Sequence, residues 1–440
     1  MGAAARMAPD PRLGMGASVR VPPGRPGLAT FLKVLGPAYL VAVGYMDPGN
    51  WATDLAAGSS SGYALLWVVA LSSAMAMVLQ SLCCRLGIAT GLDLAQACRQ
   101  LLPPAFHLPL WLLAELAIIA CDLAELVGSA IALQLLFGLP LAWGVALTAA
   151  DTLLLLVLQQ QGLRRLEALV IALVALIGAC FLVELVLLKP DWWAVAHGFV
   201  PNPLAMGNHH QLLLAAGILG ATVMPHNLYL HSSLVQTRQW PDHPKARHWA
   251  LRLATADMAI ALAMAFLVNA AILVLAGGAF HGRGLPVVTD LGQAYRLLTP
   301  MLGTSLASLV FGVALLAAGQ SSTITGTLAG QVVMEGFLDL RLPLWQRRLL
   351  TRGLALIPAL ATVLLLGDGA TNRLLVLSQV VLSLQLPFAA IPLVWFCGQA
   401  KSMGNLRSPV VLQLVSWLCI GVIVSINLSL LVSLAGSLAF

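Results

Sequence analysis

The stretches Asp47-Pro48-Gly49-Asn50 and Met224-Pro225-His226-Asn227 decide how this chain is read, because each interrupts an apolar run, roughly 32–56 and 211–236. A proline there removes one backbone donor and clashes with the preceding turn, so carbonyls near the middle of a bilayer are left free for another partner. Each break also carries side chains able to meet a cation: a carboxylate and an amide in the first, a thioether and an imidazole in the second. The two share the pattern x-Pro-x-Asn and fall at corresponding places in two halves of the chain. That is the arrangement expected where two repeats face each other across a binding site.

The surrounding composition requires a membrane. Of 440 residues 60% are hydrophobic and only 9% charged, and the mean hydropathy is +0.91. This excludes a soluble globule with a polar surface. Reading apolar runs of about 20 residues as helical spans gives eleven, at about 32–56, 63–84, 108–136, 140–160, 166–188, 211–236, 253–277, 303–337, 349–367, 374–397 and 409–435. The expected fold is all-α and membrane-integral, with spans 1 and 6 discontinuous.

Charge placement then sets the orientation. With the N-terminus in the cytoplasm, 19 of the 23 Lys and Arg residues fall inside, and only Lys189, Arg283, Arg296 and Arg373 fall outside. The positive-inside rule therefore places the N-terminus in the cytoplasm and the C-terminus on the outer face. The net charge of +6 reflects this topology and calls for anionic lipid rather than nucleic acid. Residues 1–31, rich in Gly, Pro and Ala and lacking a signal-peptide core, read as an unstructured cytoplasmic tail. The seven cysteines form no Cys-x-x-Cys pair, and we read them as small buried apolar residues.

Span 3 carries Glu115, Asp122 and Glu125, whose separations of seven and three residues put them along one helical face. Such a stripe belongs in the bundle interior. There it serves either as a proton relay or as a structural set paired with arginines. Asp47 is likewise either a site residue at membrane depth or a cap for the half-helix that follows. Met224 is ordinarily packing, but beside a break and opposite an Asp it becomes a soft ligand candidate. His226 and His231 are five apart and so face different ways, and no His-Glu-x-x-His occurs, which counts against a membrane metalloprotease. Gly319–Gln331 is small and hydroxyl-rich, suited to close helix packing. Gln379 in span 10 offers an amide oxygen to a metal or to a broken helix. The outer-loop residues His197, His209 and His210 have no ligand spacing.

At these motifs the chain resembles the Nramp family, most closely its bacterial proton-coupled manganese transporters. The two break motifs look like that family's metal-site motifs, and Gly319 to Leu338 looks like its transport signature. The likeness runs from about Leu35 to about Cys397. It implies a LeuT-like inverted repeat, with spans 1–5 over 32–188, spans 6–10 over 211–397, and an appended span at 409–435. It further implies a divalent metal held by the side chains of Asp47, Asn50 and Met224 and the carbonyl of Ala221, with Gly44 offering another carbonyl and Gln379 contributing in some states. Asp47, His226, Glu125, Asp122 and Glu115 match the family's proton-route positions, with Arg348 and Arg352 of span 9 beyond them. Related magnesium transporters of the family lack the methionine at position 224.

The chemistry agrees with that likeness. Calcium and magnesium prefer all-oxygen shells, whereas a thioether suits later, softer divalent metals. One sulfur among oxygens biases a site toward Mn2+, Fe2+, Co2+ or Cd2+. An inside-negative potential helps a divalent ion inward at about 2.3 kcal/mol per charge per 100 mV. The expectation is therefore a monomeric importer of divalent metal with protons, in a bacterial inner membrane, working by alternating access without a cofactor. Three rivals fare worse. A carrier of organic solutes would not point an Asp at an anionic group, an intramembrane enzyme finds no nucleophile and base, and a channel would need a pore ring.

Overall fold

A computed structural model describes residues 19–21, 27–149, 162–202, 209–241, 243–282, 287–288, 290–339, 344–367 and 371–438. The order is β1 (Val19–Arg20), α1 (Leu28–Val34), α2 (Pro37–Ala42), α3 (Pro48–Ser61), α4 (Leu66–Thr90), α5 (Leu94–Leu101), α6 (His107–Phe137), α7 (Leu163–Leu188) and α8 (Trp192–Gly198). There follow α9 (His209–Thr222), α10 (Pro225–Leu234), β2 (Arg238–Gln239), α11 (Pro244–Phe280), α12 (Leu291–Leu302), α13 (Ser305–Leu338), α14 (Leu344–Leu366), α15 (Thr371–Gly398), α16 (Ala400–Met403) and α17 (Val410–Leu438). Residues 141–149 are helical as well.

Among the described residues, eight helices are long and apolar enough to cross a membrane, or nine if the pair Leu28–Val34 and Pro37–Met46, bent by 46°, counts as one span. The expected span at 140–160 lies partly outside the described residues. The expected span at 349–367 falls on α14, whose apolar part, Leu349–Leu365, is short. Within the stretch read as an unstructured tail, Val19–Arg20 pairs in parallel with Arg238–Gln239, and Leu28–Val34 is helical. Backbone ladder bonds and the burial of Val21 hold this segment where composition alone suggested no order.

Both breaks fall where the prolines put them. After α2 one 3-10 turn, Val43–Met46, tightens the chain, and Asp47 then adopts an extended conformation (φ −69°, ψ 165°) as the N-cap of α3, with Pro48 in the first turn. Proline is pre-organised for that position, and an Asp oxygen satisfies one of the orphan amides behind it. In the second half, α9 ends at Thr222 and Met224 is extended (φ −76°, ψ 123°) ahead of Pro225, but its thioether caps nothing.

The first half-helix is anchored at its basic end. The Asp257 carboxylate of α11 accepts from the backbone N–H groups of Gly36 and Ala38. Arg238 pairs with Glu167 of α7 at 2.8 Å and donates to the carbonyl of Val34. Around the breaks, α6 runs against α13 and α15, α3 against α11, and α9 against α15. The two half-helix junctions are thereby enclosed on every side by long apolar helices.

Candidate metal site

The side chain of Asn50 ties the two breaks together. Its amide nitrogen donates to Asp47 Oδ1 at 2.8 Å, to the Ala221 carbonyl at 3.1 Å and, more weakly, to the Gly44 carbonyl at 3.4 Å. The Asn50 backbone N–H also donates to Asp47 Oδ1 at 2.8 Å. Three oxygens from two separate helix breaks thus converge on one small polar volume. Asp47 and Asn50 are almost completely buried, and Asp47 Oδ2 has no hydrogen-bond partner among the described residues. A buried carboxylate oxygen left this way costs free energy unless a cation or a proton meets it.

Met224 is fully buried against Ala117 of α6 and Leu382 of α15. Gln379, one turn before Leu382, reaches the first break: a Cβ on Gly49 would overlap its side-chain amide. Its Oε1 is also unpartnered among the described residues. Carboxylate, amide and carbonyl oxygens thus gather around the two breaks, a donor set that suits a divalent cation.

The acids of α6 lie where the spacing put them. Asp122 and Glu125 both face Gly326 of α13, and Glu115, two turns earlier, is buried too. Glu125 Oε2 accepts from Arg352 Nη2 of α14 at 3.4 Å, both side chains being buried. Cys121 Sγ stands 3.5 Å from Glu125 Oε1 and 3.7 Å from His226 Nε2. A file of groups therefore runs from His226 beside the second break, past Cys121, to Glu125 and Arg352. The Arg348 side chain lies outside the described residues. His231 faces the opposite way, with Nδ1 2.7 Å from Gln80 Oε1, and Gln80 in turn donates to the Tyr45 hydroxyl at 2.7 Å.

Sequence reading missed several participants. Asn269 of α11 donates to the Tyr45 carbonyl at 2.8 Å and reaches Asn50 Oδ1 at 3.4 Å. Its signal was an amide standing alone in the apolar run of span 7. Asn227, the counterpart of Asn50 in the second motif, lies against Gly44, and neither of its amide atoms is partnered among the described residues. Cys121 was read as filler, and nothing in its local sequence marks it as the link between His226 and Glu125.

Comparison with known proteins places this architecture. Residues 38–433 match the family model "Nramp: Natural resistance-associated macrophage protein-like". The chain is 55% identical to the divalent metal cation transporter MntH of Nostoc sp. over 414 residues, covering 94% of each. It is 57% identical to the protein of that name from Xanthomonas campestris pv. campestris over 415 residues, again covering 94% of each. Among solved structures it matches the Eremococcus coleocola manganese transporter, in complex with an aromatic bis-isothiourea compound, with TM-score 0.86 and 39% identity, covering 94% of this chain and 88% of that one. MhsT in complex with L-phenylalanine matches with TM-score 0.59 at 16% identity, covering 89% of this chain and 98% of that one, a likeness of fold alone. These matches run almost the full length of the chain and include both breaks, so the chain belongs to the Nramp family.

Proposed function

We propose that this protein is a secondary transporter that imports Mn2+ and similar divalent transition metals (Fe2+, Co2+, Cd2+) together with protons, by alternating access around the two helix breaks. The observation that carries the reading is the convergence of Asp47 Oδ1, the Ala221 carbonyl and the Gly44 carbonyl on the Asn50 amide. Divalent metal transport is supported by the names of the Nostoc and Xanthomonas relatives, and manganese by that of the Eremococcus structure.

In this reading the ion takes the position from which the Asn50 N–H group holds these oxygens. Asp47, Asn50, Met224 and the Ala221 carbonyl bind it, and Gly44 and Gln379 complete its shell in some states. Displacing a proton from Asp47 gives coupling a direct physical route. His226, Glu125 and Arg352, together with Asp122, Glu115 and Arg348, carry protons away from the site along α6 and α14. The chain works as a monomer in a bacterial inner membrane, with its N-terminus in the cytoplasm and its C-terminus outside, as the Lys and Arg distribution favours.

The test uses purified protein in liposomes containing a trapped pH dye. An inward manganese gradient, with the membrane potential clamped, is expected to acidify the lumen in step with metal uptake. Manganese uptake with no accompanying acidification would leave metal transport standing and remove proton coupling.

A further inference from the structure

The two breaks are built to one plan. Gly44 and Ala221 each stand three residues before the residue that opens a break, Asp47 or Met224, and Asn50 and Asn227 each stand three residues after it. In the first half this Asn crosses to the other half, where Asn50 Nδ2 donates to the Ala221 carbonyl at 3.1 Å. Asn227 crosses the opposite way. It is fully buried in the first turn of α10, and its amide lies so close to Gly44 that a Cβ there would overlap it.

The halves differ in what each amide holds. Asp47 offers Oδ1 to Asn50, whereas Met224 caps nothing, and a thioether is a weak acceptor. Both amide atoms of Asn227 are unpartnered among the described residues, a costly condition for a polar group buried at membrane depth. The Gly44 carbonyl beside it is held weakly, by Asn50 Nδ2 at 3.4 Å. When Asn50 turns Oδ1 toward an ion it releases that carbonyl, and the Asn227 amide is the donor next to it.

We infer that Asn227 is a positioning residue for the transported ion: its Nδ2 takes the Gly44 carbonyl once Asn50 lets go, so that each half of the molecule clasps the other in turn. A carbonyl oxygen has two lone pairs, so one accepts from Asn227 while the other meets the ion. The orphaned amide is thereby satisfied in the ion-bound state, and the free energy gained adds to affinity. This role rests on the metal-site reading given above.

The experiment measures Mn2+ binding by titration calorimetry, and the metal-free unfolding temperature, on full-length protein purified in detergent. It compares wild type with Asn227→Leu, Asn227→Ala and Asp47→Ala. Leu keeps the size of Asn without its polar atoms, and replacing an orphaned buried amide in this way is neutral or stabilising. Asn227→Leu should therefore unfold at or above the wild-type temperature, whereas Asn227→Ala leaves a cavity and should unfold a few degrees lower. Both variants should nonetheless bind Mn2+ about five- to tenfold more weakly, the worth of one hydrogen bond. A loss shared by two variants whose stabilities move apart is not a packing effect. Wild-type affinity in either folded variant would overturn the inference and leave the metal site standing. Binding by Asp47→Ala as tight as by wild type would instead remove the site itself, and the role of Asn227 with it.

Discussion

The Asn50 amide nitrogen lies 3.1 Å from the carbonyl oxygen of Ala221, 171 residues further along the chain. The same nitrogen donates to Asp47 Oδ1 at 2.8 Å, so a single side chain joins the two helix breaks. For a metal to take its place, the amide must turn and present Oδ1, which Asn269 Nδ2 now approaches at 3.4 Å. Asn50→Ala removes this ligand and leaves the Ala221 carbonyl unpaired, a loss of the order of a hydrogen bond to a charged group. The KM for manganese uptake is expected to rise about tenfold or more, read from initial rates in proteoliposomes.

Two glycines beside Gln379 separate packing from function. A Cβ on Gly49 would meet the movable end of the Gln379 side chain, whereas one on Gly220 would meet the Gln379 carbonyl and the Cβ of Ser383. A side chain can swing away, but backbone inside a packed helix cannot. Gly220→Ala is therefore expected to destabilise by about 1–3 kcal/mol. Gly49→Ala should fold like wild type and yet transport more slowly, since Gln379 is displaced from the break. Denaturation curves and uptake rates on the same preparations separate the two effects.

Arg352 and Glu125 form a buried pair, and Arg352 Nε and Nη1 have no other partner among the described residues. Removing one member of such a pair leaves an uncompensated charge. Arg352→Ala is expected to cost about 3–5 kcal/mol of stability. Glu125→Gln keeps the shape of the pair and should leave manganese affinity near wild type while weakening the response of uptake to an inward proton gradient. Equal gradient dependence in Glu125→Gln and wild type would take Glu125 out of the proton route.

Met224 supplies the thioether of the proposed donor set. Without it the donor set becomes all oxygen and suits harder ions. Met224→Ala is expected to let calcium compete with manganese uptake more strongly than it does in wild type. Competition assays at fixed manganese and rising calcium give the answer directly.

Much of this arrangement was legible because the deciding residues break a rule. Proline inside an apolar run, Asp at bilayer depth and acids spaced along one face of α6 are each costly enough to show in the sequence. Residues that obey the rules stayed hidden. Cys121 looks like any small apolar side chain, and its place between His226 and Glu125 exists only once α6 packs against α10. Asn269 was visible as a lone amide, but its reach to Tyr45 and Asn50 depends on how α11 crosses α3. The pairing of Val19–Arg20 with Arg238–Gln239 is a backbone interaction between segments with no shared side-chain pattern, so composition could not reveal it.

In the proposed function a divalent ion binds between the two breaks with Asp47 as its charged ligand. This is tested most directly by manganese uptake into proteoliposomes, comparing wild type with Asp47→Ala at matched protein incorporation. Loss of uptake in Asp47→Ala, with the variant folded by its unfolding temperature, is the result predicted. Uptake at the wild-type rate would contradict the account and reduce the breaks to structural hinges.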